Sequence, residues 1–165
     1  MASRFLSQTD RNFFETVNKE LLGSPRDKKD GVINTFVKLF RLSVENTATN
    51  LYGEASAGKI YLPGVQLPTL VSAEDFDFNT DEFGPDMRQT ATFSFEREYL
   101  VGLPLVTSIG DIIDWNYAHW EIASLNENQL VGGQVDSNFS VVCNAFLVRK
   151  SNLQIERIRS NSWLD

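Results

Sequence analysis

The chain predicts a mainly β fold: a small antiparallel β-barrel or sandwich with an N-terminal helix and long loops. Three observations predict it. From residue 32 onward, apolar residues recur at every second position in several short runs. Turn-forming residues separate those runs at short intervals. A helical period occurs in one stretch only, near the N-terminus, which excludes alternating βαβ units. The 165 residues suffice for one domain with a real core and are too few for two ordinary domains. The 12 Phe, 4 Tyr and 3 Trp suit a β-rich core or large interfaces.

The elements follow in order. Residues 9–22 read as a helix, because Phe13, Phe14, Val17, Leu21 and Leu22 share one face. Ser7 or Thr9 serves as N-cap, Gly23 as the C-terminal stop, and Glu15 and Lys19 are spaced as an i, i+4 pair. The helix either packs on its own domain or acts as an intersubunit arm through Phe13, Phe14, Val17 and Leu21. Residues 23–31 (GSPRDKKDG) hold five charges and no large apolar residue, so they form a linker that gives the helix reach. The domain organisation is therefore a helical arm at 1–22, a linker at 23–31, a β-barrel domain at 32–150 and a polar tail at 151–165. In the tail Ile155, Ile158 and Trp163 are docking points.

Within the barrel domain, residues 32–45 alternate with Phe36, Lys38, Phe40, Leu42 and Val44 on one side. Residues 59–72 are extended but carry Pro63 and Pro68, so this strand is an edge, bulged or broken. Residues 90–97 put Ala91, Phe93 and Phe95 on one face and Thr92, Ser94 and Glu96 on the other. Residues 110–125 form a hairpin that turns at Asn116 to Ala118, with Trp120 and Ile122 on the return strand. Residues 139–149 are a central strand. The expected core is Phe93, Phe95, Ile113, Trp115, Trp120, Ile122 and Val141.

Charge narrows the function. Fifteen basic against 22 acidic residues give −7 and a pI near 4.7, the opposite of what gripping phosphates requires. Passive contact with DNA stays open. One cysteine, Cys143, excludes an internal disulfide and a multi-cysteine zinc site. No apolar run approaches the ~18 residues of a membrane span, and MASRFLSQTDRNFF lacks a signal peptide's apolar stretch. These features describe a protein made and used in a reducing, soluble compartment.

Chemical motifs are sparse. His119 and Cys143 are the one nucleophile–base combination, but Cys143 lies mid-strand, where a free thiol behaves as a small apolar group. Glu74, Asp75, Asp77, Asp81, Glu82 and Asp86 form an acidic segment without a single base. Asp75, Asp77, Asn79 and Asp81 alternate like the first ligands of a calcium loop, yet Thr80 stands where glycine belongs and Asp86 where glutamate does. A solvated, lumen- or partner-facing loop is the better reading. No phosphate-binding glycine loop is present, and Asn138-Phe139-Ser140 is a glycosylation sequon by letter only. The chain is thus read as a non-enzyme with no cofactor and no metal.

Two strings carry a family resemblance: NLYGEASAGKIYLPGVQLPTLV at 50–71 and SIGDIIDWNYAHWEIASLNENQLVGGQ at 108–134. The second resembles the barrel hairpin of tailed-bacteriophage head-closure (stopper or neck) proteins through Gly110, Asp111, Ile113, Trp115, Trp120, Glu121 and Ile122. The order of an LYGE loop, an acidic FGPD turn at Phe83 to Asp86, a strand and the Gly-Asp hairpin is similar to the neck proteins of contractile-tailed phages. The resemblance implies a structural virion protein at the head–tail interface, made in the host cytoplasm. It implies a homo-oligomeric ring, usually of six copies, with the portal and adaptor ring above and the tail terminator below. DNA would pass through the lumen, and no membrane is involved. A tail-terminator or tail-completion ring is the near alternative. A small β-barrel hydrolase or binding protein is the alternative of a different class.

Overall fold

The computed structural model describes residues 7–23, 31–47, 59–74, 77–81, 84–103, 105–129 and 138–148. The tail at 151–165, the linker interior at 24–30 and the LYGE string at 51–54 lie outside the described residues.

Helix α1 spans Gln8–Leu22. Ser7 is its N-cap, accepting a hydrogen bond from the Asp10 amide, and Gly23 ends it at φ 78°, where a side chain would be strained. The chain then returns to the helix end: Val32 N–H donates to Glu20 O at 3.2 Å and Ile33 N–H to Leu21 O at 3.0 Å. A Cβ on Gly31 would run into the Gly23 nitrogen. The two ends of the linker, Gly23 and Gly31, therefore touch. Glu15 and Lys19 do not pair either. Glu15 accepts from Arg11 one turn earlier, and Lys19 reaches Glu98 instead.

Seven strands build one antiparallel sheet in the order β2-β1-β7-β8-β9-β6-β3. They are β1 (Phe36–Phe40), β2 (Val65–Pro68), β3 (Leu70–Ala73), β6 (Thr90–Glu96), β7 (Ile112–Trp115), β8 (Ala118–Gln129) and β9 (Asn138–Val148). The two edge strands, β2 and β3, are consecutive in the chain, with only Thr69 between them. The sheet therefore curls until its edges meet at that residue. Thr69 is wholly buried; its N–H donates to Thr35 O at 3.0 Å and its hydroxyl to Ser94 O at 2.9 Å, which joins the β1 side to the β6 side. The expected broken edge strand is thus two edges of one sheet.

Alternation fills the interior. Phe93, Phe95, Ile113, Trp120, Ile122 and Val141 are buried as expected, with Val37, Leu39, Leu67, Ile112, Cys143 and Ala145. Trp115 is only partly buried, because it sits at the hairpin end, but its ring lies 6.1 Å from those of Phe93 and Trp120. On β1 the buried face carries Val37 and Leu39, while Lys38 is exposed and Phe36 and Phe40 are half-buried. β9 pairs on both sides, with β8 and β6, as a central strand should.

Three features differ from the sequence expectation. A short helix, α2 (Arg97–Gly102), begins at the last residue of the strand expected over 90–97 and covers a stretch for which no element was expected. The described residues hold nine strands, because the proline-bearing segment divides at Thr69 and the acidic segment pairs with itself as β4 (Asp77–Asp81) and β5 (Gly84–Arg88). The β7–β8 turn is Asn116-Tyr117 alone, with φ 51° and 62°. Both central residues are left-handed, as in a type I′ hairpin turn, which suits Asn but strains Tyr.

Two stability predictions follow from this packing. Trp120→Ala and Phe95→Ala each remove a large buried ring and should each cost about 3–5 kcal/mol in urea unfolding. Tyr117→Gly removes a side chain that is 93% exposed and relieves its left-handed backbone. It should raise stability by about 1 kcal/mol, seen as a higher denaturation midpoint at unchanged slope.

Candidate functional site

The Gly-Asp hairpin is the best-defined polar site. Gly110 adopts φ 90°, a conformation suited to glycine, and its N–H donates to Ile122 O at 3.0 Å. Asp111 is buried, and both of its carboxylate oxygens are used. One accepts from the Leu42 amide at 2.9 Å and the other from the Ser108 amide at 2.8 Å. Burial pushes the Asp111 pKa up, while the two amides and nearby Arg41 pull the other way. This carboxylate is a clamp, fastening the chain after β1 to the chain before β7.

Beside it, Lys59 pairs with Glu121 at 2.6 Å, and Tyr61 bridges to Leu42. The two strings that carry the family resemblance are therefore in contact, through Lys59 in one and Glu121 in the other. The Tyr61 hydroxyl is shut off from water without a hydrogen-bond partner. Burial pushes it up to about 12, helped by the negative charges of Glu121 and Asp111. It is no base at neutral pH. Ile113, Trp115, Trp120 and Ile122 serve the core. The motif thus holds the barrel together, and Lys59–Glu121 is a partly exposed polar pair on it.

His119 and Cys143 are not brought together. Cys143 faces the core, while His119 adjoins buried Trp120 on the strand and faces the other way. His119 stands opposite Val148 on β9, five positions from Cys143, or about 16 Å at the rise of a strand. Burial pushes the thiol up to about 12. His119 instead has Asp114 at 3.5 Å, its cross-strand partner.

The acidic segment is a β-ribbon, not a loop. The pair β3–β6 ends with Glu74 N–H donating to Thr90 O, and β4–β5 follows with Asp77 opposite Arg88 and Asn79 opposite Asp86. Glu74 accepts a hydrogen bond from the Thr90 hydroxyl. Asp75 and Glu82 lie outside the described residues, and so does Phe83 of the FGPD string. Asp77, Asn79 and Asp81 occupy alternate positions of an extended strand, which spreads them along a line. A calcium loop must instead wrap its ligands around one ion. Among the described residues, no three His, Cys, Asp or Glu side chains lie close enough to hold a metal ion. The sequon residue Asn138 is buried in β9, with its amide donating to Glu127 at 2.7 Å.

On α1, no residue is buried. Phe13 is 65% exposed, Phe14 and Leu21 are also exposed, and Val17 is half-covered. Phe14 meets Phe139 of β9 at 5.8 Å between ring centres, and Lys19 meets Glu98 of α2 at 2.7 Å.

Two features escaped the sequence reading. An open groove of about 280 Å³ runs beside the β7–β8 turn, lined by Phe36, Lys38, Gln66, Asp114, Trp115 and Tyr117 among others. It depends on strands β1, β2 and β7 lying side by side, which no local pattern reveals. Glu96, placed by alternation on the polar face of its strand, is buried with one carboxylate oxygen unpartnered. Its alternation was legible; the cover over it was not.

Asp111→Ala leaves the Leu42 and Ser108 amides without their acceptor. It should cost about 2–4 kcal/mol in chemical denaturation, whereas Glu121→Gln, at a half-exposed pair, should cost under about 1 kcal/mol.

No protein-family model and no curated protein matches the chain.

Proposed function

We propose that this protein is a structural component of a tailed-bacteriophage virion, forming a ring at the head–tail junction that closes the DNA-filled head and offers the tail its docking surface. The observation that carries the reading is the uncovered apolar face of α1, where Phe13, Phe14 and Leu21 remain exposed beside a well-packed barrel. Exposed aromatic residues on one face of an amphipathic helix mark a contact surface. The Gly-Asp hairpin and the LYGE and FGPD strings add the resemblance to neck proteins.

In this reading head-to-tail contacts close a ring, usually of six copies. A portal and adaptor ring lies above it and a tail terminator below. The acidic β4–β5 ribbon, repeated by symmetry, lines the lumen or faces a partner; lining the lumen, it keeps phosphates from adhering as DNA passes.

Interrupting the gene in the phage that carries it tests the reading. Electron microscopy should then show DNA-leaking heads separated from finished tails. Wild-type protein supplied in trans should restore joined particles, and protein lacking residues 1–22 should fold yet restore them at least tenfold less well. Complete, infectious particles without the protein would overturn the reading.

A further inference from the structure

The outer wall of the barrel divides into a charged half and an uncharged half. Register sets Gln66, Lys38, Asp114 and His119 side by side across β2, β1, β7 and β8, so that half carries ionisable groups. Across β3, β6, β9 and β8 the outward residues are of another kind. One row is Ser72, Thr92, Asn144 and Ser124, and the next is Leu70, Ser94, Val142 and Asn126. On β6 and β9 they alternate with buried Ala91, Phe93, Cys143 and Ala145, which fixes both rows on the outer face. Neither row holds an ionisable residue, in a chain of net charge −7. Charge resumes at the margins, with Glu74 beside Thr90, Glu121 beside Phe146 and Glu96 opposite Ser140. Three strands of the face are tied by side chains: the Thr92 hydroxyl donates to the Asn144 carbonyl oxygen at 3.0 Å, and the Asn144 amide donates to the Ser124 hydroxyl at 3.2 Å. Leu70 and Phe146 stand 47% and 43% exposed, diagonally across the face from each other. An uncharged centre inside an acidic margin is the layout of a contact surface.

We propose that this uncharged face pairs free copies of the chain two by two, face against face about a two-fold axis. The occupant follows from the chemistry. Hydroxyl and carboxamide side chains each hold both a donor and an acceptor, so a face built from them is complementary to itself. A two-fold contact requires that, since the same residues meet from both sides. A face of one charge fails the same test, because like would meet like. Two copies of charge −7 repel each other, and this face lets them approach without setting charge against charge. Leu70 and Phe146 add apolar area. An axis lying in the plane of the contact can exchange these two corners, laying Leu70 of each copy over Phe146 of the other. The area sets the strength. Four strands about 4.8 Å apart, and a length of about 20 Å from Ser140 to Phe146, give roughly 300–400 Å² per copy. A stable dimer buries about 800 Å² per copy. The pair is therefore weak, with a dissociation constant of roughly 0.1–1 mM. The proposal goes beyond the ring reading and does not depend on it, since it concerns copies free in solution.

Sedimentation equilibrium of the full chain, from about 10 μM to about 1 mM, tests it. Wild type should pass from monomer toward dimer across that range. Raising salt from about 50 to about 500 mM should tighten the dimer roughly threefold, because screening removes the repulsion between two acidic copies while the face itself has no charge to screen. Asn144→Lys puts a charge at the exposed centre of the face and should weaken the dimer by about tenfold or more. Gln66→Lys, with the same net charge but on the other half of the wall, should dimerise at least as well as wild type. Asn144→Glu alone should also stay monomeric, and an equal mixture of the Asn144→Lys and Asn144→Glu variants should recover the dimer, since the two sites then face each other with opposite charge. Circular dichroism confirms that each variant is folded. A chain that stays monomeric at about 1 mM overturns the proposal. So does a dimer that ignores Asn144→Lys, a dimer that salt loosens, or a mixture that fails to pair.

Discussion

The fold depends on one residue changing partners. Between Pro68 and Leu70 the chain leaves the edge beside β1 and joins the edge beside β6, and Thr69 alone makes that passage. Pro68 has no N–H to continue a ladder, so the break falls where a donor is missing. Thr69 then spends its amide on Thr35 and its hydroxyl on Ser94, one bond to each side of the seam. A seven-stranded sheet with two free edges would invite pairing with other chains. Here the sheet curls so that its two edge strands are joined at Thr69, around a core that holds Phe93, Phe95 and Trp120.

Asp111 is the second fastening, and it changes how the Gly-Asp string should be understood. A buried carboxylate beside a tyrosine and a lysine resembles catalytic equipment. Yet both of its oxygens are occupied by backbone amides 69 and 3 residues away in sequence. Gly110 supplies the left-handed turn that aims it, and Ile122 closes the loop from the opposite strand. The residues that carry the resemblance therefore carry architecture. Function has to be sought in the surfaces this architecture presents.

What the sequence disclosed follows the range of the forces involved. Alternation is local, so the inward faces of β6 through Phe93 and Phe95, and of the β7–β8 hairpin through Ile113, Trp120 and Ile122, were legible residue by residue. Capping is local too, hence Ser7 and Gly23. Pairing is not. Nothing in GSPRDKKDG says that Gly31 returns to Gly23, and nothing in the acidic run says that Asp77 finds Arg88. Lys19 matched Glu15 by spacing, but tertiary contact gave it Glu98 instead. The α2 turn was hidden because REYL continues a strand-like run, and its single buried anchor, Leu100, appears only once the barrel end needs a cover. The groove at Tyr117 and the burial of Glu96 belong to the same class, since each needs elements distant in sequence to meet.

Stability in this molecule is graded from the barrel outward. The barrel is fastened at Thr69 and Asp111 and filled by rings that touch one another. Among the described residues, α1 outside it has no buried residue, and the β4–β5 strands pair with each other in a separate two-stranded sheet. Lightly held segments open at a small fraction of the global unfolding free energy. A partner that captures α1 therefore has little native contact to displace, so most of the energy of covering Phe13 and Leu21 remains for binding. The strained Tyr117 tip follows the same logic from the rigid side: a left-handed tyrosine is tolerated because the strands beneath it are fixed by the core, which places its side chain in solvent at a fixed backbone position. A rigid barrel with an exposed aromatic helix face and an exposed aromatic turn can thus gain contacts without reorganising its core.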